Sequence, residues 1–140
     1  MTRTLEQLRE YFLNDRFVMD NGIGIDSIGE DSAIVSARLE PRHTNALGMA
    51  QGGFLFTLAD FAMGVAANLR SGVAVTLSSS INYLKSPKGA IVYAEATPLK
   101  VGRSTRVYTV RVYDDRGTEC CNSTFTAFVT NPDSPPATGN

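Results

Sequence analysis

In the stretch HTNALGMAQGGFLFTLADFAMGVAAN, residues 43–68, a single acid, Asp60, interrupts an apolar run that opens on the pair Gly52-Gly53. Asp60 follows these glycines by eight and seven positions, close to two helical turns, so the spacing predicts that it shares a face with the amides at the helix mouth. Such amides are unpaired donors with partial positive charge, and glycine lets a ligand come close to them. A carbonyl bound there would be polarised beside a carboxylate. That chemistry suits hydrolysis of an acyl compound: the helix N-terminus stabilises a developing oxyanion, while the acid activates water as a general base or attacks directly. The plainer alternative is an Asp on an exposed stripe, or a buried acid satisfied by local hydrogen bonds.

Other groups can assist or stand by. Asn45 and Gln51 carry amides in the loop entering the helix, where they can orient a water or a carbonyl, although loop Asn is commonly a turn residue. His43 is the only histidine, and with no Cys, Asp or second His near it in sequence it reads as a surface residue or a substrate contact rather than a base or metal ligand. Thr76, Ser78, Ser79 and Ser80 fall on an expected strand, with 76, 78 and 80 on one side and 79 on the other. A serine nucleophile needs a base in reach and a nucleophile-elbow pattern, and neither is present, so Thr76 and Ser78 read as positioners of water or substrate, or as ordinary strand residues. Lys85, Lys88, Lys100, Arg103 and Arg106 lie in or beside turns, where they can meet phosphates of an extended ligand or simply be solvated. The best of them is KVGRST, residues 100–105, whose Gly102 exposes backbone amides beside Arg103 and Ser104. No metal-ligand spacing appears, and neither a metal nor a separate cofactor is expected.

The elements that must hold these groups follow from periodicity. Thr4 and Gln7 form a capping-box pattern ahead of a short amphipathic helix over about residues 4–14, followed by a loop over 14–21. Two antiparallel strands are expected on either side of a turn at 29–31, and Pro41 ends the second. The helix after Gly53 is apolar nearly all round, which predicts burial on several sides, and its small residues would let a curved sheet pack against it. From residue 73 the period changes to two, giving strands over 73–84, 90–99, 105–113 and 118–130. Strands in succession rather than in alternation with helices exclude a doubly wound parallel sheet, so the fold class is α+β. Residues 1–130 read as one domain and 131–140, rich in Pro, Ser and Gly, as a disordered tail.

Thirteen basic and fourteen acidic residues nearly cancel and form no basic cluster, which argues against nucleic acid or a charged membrane as a partner. The apolar run falls short of a bilayer span, and the N-terminus lacks the apolar run of a signal peptide, which points to the cytoplasm. Cys120 and Cys121 are adjacent on a strand and therefore read as packing residues.

The run from His43 to Asn68, the strand SSSINYLKSP and the turn KVGRST closely resemble hotdog-fold acyl-CoA thioesterases of the phenylacetate-degradation subgroup over roughly residues 10–130. The helical motif N-x-x-G-x-x-[H]-G-G-x-x-x-x-L-x-D is fairly specific. The resemblance implies a long central helix wrapped by an antiparallel sheet of about six strands, a homodimer whose sheets join into one, usually a dimer of dimers, and active sites at the dimer interface. By position, it implies Asp60 as the catalytic carboxylate, the Gly52 amide, with that of Gly53, as the carbonyl polariser, and Asn45 as the amide that holds the thioester or the water. Thr76 falls where some relatives use a serine to position the water, and Arg103 and nearby basic turns fall where the nucleotide end of CoA is received. Gln51 departs from the pattern, since many members have His there, and Gln cannot change charge. That departure motivates an alternative reading as a non-catalytic acyl-CoA binder. Hydration of an enoyl thioester, a third reading, is weaker because His43 is not where such chemistry would need it.

Overall fold

The computed structural model describes residues 2–133. Thr4 opens α1 (Leu5–Tyr11) with a capping box: its hydroxyl accepts from the Gln7 amide at 3.2 Å, and the Gln7 side chain accepts from the Thr4 amide at 2.9 Å. One 3₁₀ turn, Phe12–Asn14, completes the expected first helix. The loop expected over 14–21 instead contains α2 (Arg16–Asp20), which starts where the Asp15 carboxylate accepts from the Val18 amide at 3.2 Å. Five residues are too few to show a helical period, so only this cap could have announced α2.

Strands β1 (Gly24–Gly29) and β2 (Ser32–Arg38) form the predicted hairpin, and a 3₁₀ turn, Pro41–His43, leads toward α3 (Gly52–Ala67). Then come β3 (Val73–Tyr83), β4 (Ile91–Val101), β5 (Thr105–Asp114) and β6 (Glu119–Thr130), each within two residues of its predicted bounds. All pairings are antiparallel in one six-stranded sheet ordered β1-β2-β4-β5-β6-β3. Of the tail expected over 131–140, residues 134–140 lie outside the described residues.

Packing explains why α3 is apolar nearly all round. It touches all six strands, and Leu58, Ala59, Ala62 and Val65 are fully buried. Alanines at 59, 62 and 66 keep its surface low enough for the sheet to curve over it. Among the described residues, no helix is long and apolar enough to cross a membrane.

Bulges re-aim the strands at several points. Leu99 bulges β4 just after Pro98, and this proline sits beyond the last β2–β4 pair, Ala33 with Ala96, where no ladder bond is required of it. Cys120 bulges β6, which lets both adjacent cysteines be buried, and burial pushes their thiols up to about 11 and about 12. Arg106, expected in the exposed basic group, is buried on the helix side of β5, where it donates to the Ala67 carbonyl at 2.5 Å. Arg3 donates to the Asn68 carbonyl at 2.6 Å. Two guanidiniums therefore meet the negative end of α3.

Candidate active site

Asp60 projects from the middle of α3 and is half-buried in a cleft of about 330 Å³. Phe12, Phe17, Phe56 and Phe61 give the cleft aromatic walls, while Asp15, Thr57, Asn68 and Thr76 are the other polar residues that line it. The Thr76 hydroxyl donates to Asp60 Oδ1 at 2.6 Å, which fixes the carboxylate and leaves Oδ2 without a hydrogen-bond partner among the described residues. Burial raises the Asp60 pKa from its ordinary value, the Thr76 hydrogen bond partly offsets this, and the Asp15 charge adds to the rise. A carboxylate held in this way, with raised proton affinity and one oxygen fixed by Thr76, has the features of a candidate general base.

The N-terminus of α3 is the second candidate feature. Gln51 is its cap residue, but no side chain caps the helix. Phe54 and Leu55 donate to the Gln51 carbonyl, whereas the amides of Gly52 and Gly53 have no partner among the described residues. This bare end contrasts with the two arginines at the other end. Sequence spacing implied that one carbonyl could meet these amides and Asp60 together. Eight residues at about 1.5 Å each separate Gly52 from Asp60 by about 12 Å along the axis, too far for one thioester carbonyl within a single chain. Gly53, Thr57 and Asp60 lie along one stripe, and a second cleft of about 290 Å³ over Gly53 shares Phe17 and Thr57 with the first. Gly52 faces elsewhere: a Cβ added to it would lie 3.5 Å from the Tyr83 ring, beside Lys85.

His43 is not a surface residue. It is buried, stacks on Phe54 with ring centroids 4.0 Å apart, accepts from the Glu40 amide through Nδ1 at 3.1 Å, and reaches the Asn21 carbonyl through Nε2 at 3.0 Å. With both nitrogens bonded to backbone, it can wall the second cleft but has no lone pair or proton left for substrate. Gln51 is exposed at the mouth of that cleft. Asn45 is an anchored turn residue: its Oδ1 accepts from the Leu47 and Met49 amides at 2.9 and 3.1 Å. Only its NH₂ remains to meet a ligand.

The hydroxyl run does not keep one face. Thr76 pairs with Ala127, but Ser78 pairs with Thr126, because Leu77 is an extra residue in β3. Ala127 and Phe125 are fully buried and mark the helix side, so Thr76 and Ser79 point toward α3 while Ser78 points to the outer face. The expectation that 76, 78 and 80 share a side fails at this bulge. Arg103 is exposed and ion-paired to Asp133 at 2.5 Å. The Ser104 carbonyl accepts from the Val129 amide at 2.8 Å. Both lie by the Val73 end of β3, whereas Lys85 follows its Tyr83 end, roughly 30 Å away along eleven strand residues. One chain therefore does not bring Lys85 and Arg103 together.

The residues that sequence reading missed are Asp15, Phe17 and Asn68, all of which border the Asp60 cleft. Nothing local marks Asp15 or Phe17 as neighbours of Asp60, since the contact is made in three dimensions across 45 positions. Asn68 did carry a signal, as a polar residue closing the apolar helix. Among the described residues, no three His, Cys, Asp or Glu side chains come together as a metal site.

The model of the thioesterase superfamily matches residues 47–121. The acyl-coenzyme A thioesterase PaaI of Escherichia coli is 30% identical over 104 residues, covering 74% of each chain. A crystal structure of a thioesterase from Haemophilus influenzae is 29% identical with a TM-score of 0.85 over 94% of each chain. A Streptococcus mutans protein bound to acetyl-CoA is 35% identical with a TM-score of 0.73, covering 78% of this chain and 89% of that one.

Proposed function

The chain belongs to the hotdog-fold thioesterase superfamily and is a thioesterase, and from that premise we propose that it hydrolyses the thioester of a neutral, apolar acyl-CoA, with Asp60 as the reactive carboxylate. The observation that carries this reading is the Thr76-bound, half-buried Asp60 in a phenylalanine-walled cleft. Water adds to the thioester carbonyl, the C–S bond breaks, and the products are a free acid and CoA thiol. Asp60 takes the proton from water or attacks the carbonyl through Oδ2. The amide of Gly52 holds the oxyanion. No Lys or Arg lines the Asp60 cleft, and Asp15 adds negative charge, so an anionic acyl group would be repelled.

The separation of about 12 Å along α3 is resolved by two chains. Strand β3 is an edge of the sheet, and Val75 and Leu77 on it are more than half exposed, at 52% and 61%. Such an edge is a template for another strand. Strand β3 runs opposite to α3, with Thr76 beside Asp60 and Tyr83 beside Gly52. A two-fold axis through the middle of β3 therefore sets the Thr76 end of one chain against the Tyr83 end of its partner. Asp60 then meets Gly52 of the partner subunit, and the Arg103 turn approaches Lys85 of the partner subunit, where the CoA phosphates would lie.

Incubation with aryl, short-chain and medium-chain acyl-CoAs and a thiol reagent tests the reading. Catalytic release of CoA thiol is expected for neutral apolar acyl groups and lost in Asp60→Asn with binding retained; an unchanged kcat in that variant would sink the assignment of Asp60.

A further inference from the structure

The side chain of Asn68 ties the start of β3 to the end of α3, and we propose that it is the positioning residue that sets Thr76 against Asp60; the inference rests on Asp60 being the reactive carboxylate. Asn68 is 4% exposed and caps the C-terminus of α3. Its Nδ2 donates to the Gly64 carbonyl at 2.7 Å and to the Ala74 carbonyl at 3.1 Å, and its Oδ1 accepts from the Ala74 amide at 2.9 Å. Both N–H groups and the oxygen are thus engaged within the chain. Although Asn68 borders the cleft, no polar atom of its side chain is left to hold substrate.

The three bonds complete a closed circuit. Asp60 stands on α3 and Asn68 caps its end; Ala74 and Thr76 stand two apart on β3, on the same face; Asn68 holds Ala74, and Thr76 holds Asp60. The circuit matters because β3 is an edge strand, paired on one side only, to β6. The Leu77 bulge separates Thr76 from the regular register of Ser78 to Tyr83, so the short segment before the bulge alone determines where the Thr76 hydroxyl points. A one-residue slip of that segment would turn Thr76 to the outer face. Asn68 opposes such a slip by bonding both the N–H and the C=O of Ala74, as a neighbouring strand would.

An ordinary helix cap would affect stability alone, so the test must read the chemistry. Asn68→Ala is expected to lower kcat about ten- to a hundredfold through misplacement of Thr76, with KM within about twofold of wild type. It should also move the acid limb of the kcat/KM profile to higher pH. The Thr76 hydrogen bond holds the Asp60 pKa down, and of the groups facing Asp60 only Thr76 of β3 is displaced, while the Asp15 carboxylate ahead of α2 is untouched. In a Thr76→Val background, Asn68→Ala should add no further change in kcat or in the profile. Asn68→Leu, which fills a similar volume with neither donor nor acceptor and adds no charge beside Asp60, gives the same readout if the alanine variant folds poorly. A wild-type kcat and pH profile in either folded Asn68 variant overturns the proposal, as do effects of Asn68→Ala and Thr76→Val that multiply. Hydrolysis retained in Asp60→Asn is a different failure, of the reading beneath it.

Discussion

Gly52→Pro removes the proposed oxyanion donor while leaving the helix that carries it. Gly52 is the first helical residue, the position where proline is most at home, because its missing N–H has no intrahelical acceptor in any case. The preceding residue, Gln51, already has φ −65° and ψ 131°, the extended conformation that a residue before proline requires. An added Cβ would meet the Tyr83 ring at 3.5 Å, an ordinary contact. Folding and the melting temperature should therefore change little. Loss of one oxyanion donor costs about 10²–10³ in kcat, or about 2.7–4 kcal/mol of transition-state stabilisation. KM for acyl-CoA should hardly move, because the ground-state carbonyl carries little charge. The separation along α3 adds a sharper consequence. Gly52→Pro and Asp60→Asn damage opposite halves of the proposed two-chain site. Refolding the two inactive variants together gives mixed dimers in which one site has both defects and the other has neither, so about a quarter of wild-type activity per site should return on statistical mixing. A thiol-release assay on the separate and mixed proteins decides the matter. No recovery in verified mixed dimers would refute the two-chain site, and an unchanged kcat in Gly52→Pro would remove its amide from the mechanism.

Three further outcomes follow from the same geometry. Thr76→Val should shift the acid limb of kcat/KM upward and Asp15→Asn should shift it downward, since the Thr76 bond lowers and the Asp15 charge raises the Asp60 pKa; a limb that stays fixed in both variants would mean that Asp60 is not the titrating group. Phe17→Ala joins the two clefts that share this side chain and should move the acyl preference toward longer chains, by up to about fourfold in kcat/KM per added methylene at about 0.8 kcal/mol each; an acyl-CoA series with an unchanged optimum would place the acyl group elsewhere. Replacing Leu77 with Lys on the exposed edge of β3 should yield monomers by light scattering and abolish turnover together; active monomers would contradict the shared site.

What the sequence made legible was whatever repeats with a period or sits within one element. The all-round apolarity of α3 announced a helix wrapped by sheet, and alternation located β3 to β6 within two residues. Asp60 and the glycines could be singled out because one acid in an oily helix and a bare helix mouth are local facts. Local spacing also misled. It showed that Gly53 and Asp60 share a stripe but not that Gly52 is too distant to act on the same carbonyl, since a shared face says nothing of axial distance. The single residue Leu77 reverses the parity of β3, so an alternation argument carried past it assigned Ser78 to the wrong side. His43 was misread for a related reason: its partners, the Asn21 carbonyl and the Phe54 ring, are brought to it by turns that have no period.

The raised pKa of Asp60 links the site to stability. An acid whose folded pKa lies above its unfolded value carries no penalty at a pH below the unfolded value, where both states are protonated. The penalty grows as pH rises through the window between the two values and is fully present above the folded one, because burial disfavours the charge that the unfolded chain holds freely. Asp60→Asn, which keeps size and an oxygen for Thr76 to donate to, should therefore melt higher than wild type at neutral pH, with the gain disappearing as pH falls below the ordinary carboxylate range. Thermal melts at several pH values on the inactive variant measure this directly. A variant less stable than wild type at neutral pH would show that the Thr76 bond outweighs burial, and that Asp60 is held as a structural anion rather than as a base kept ready at a cost to the fold.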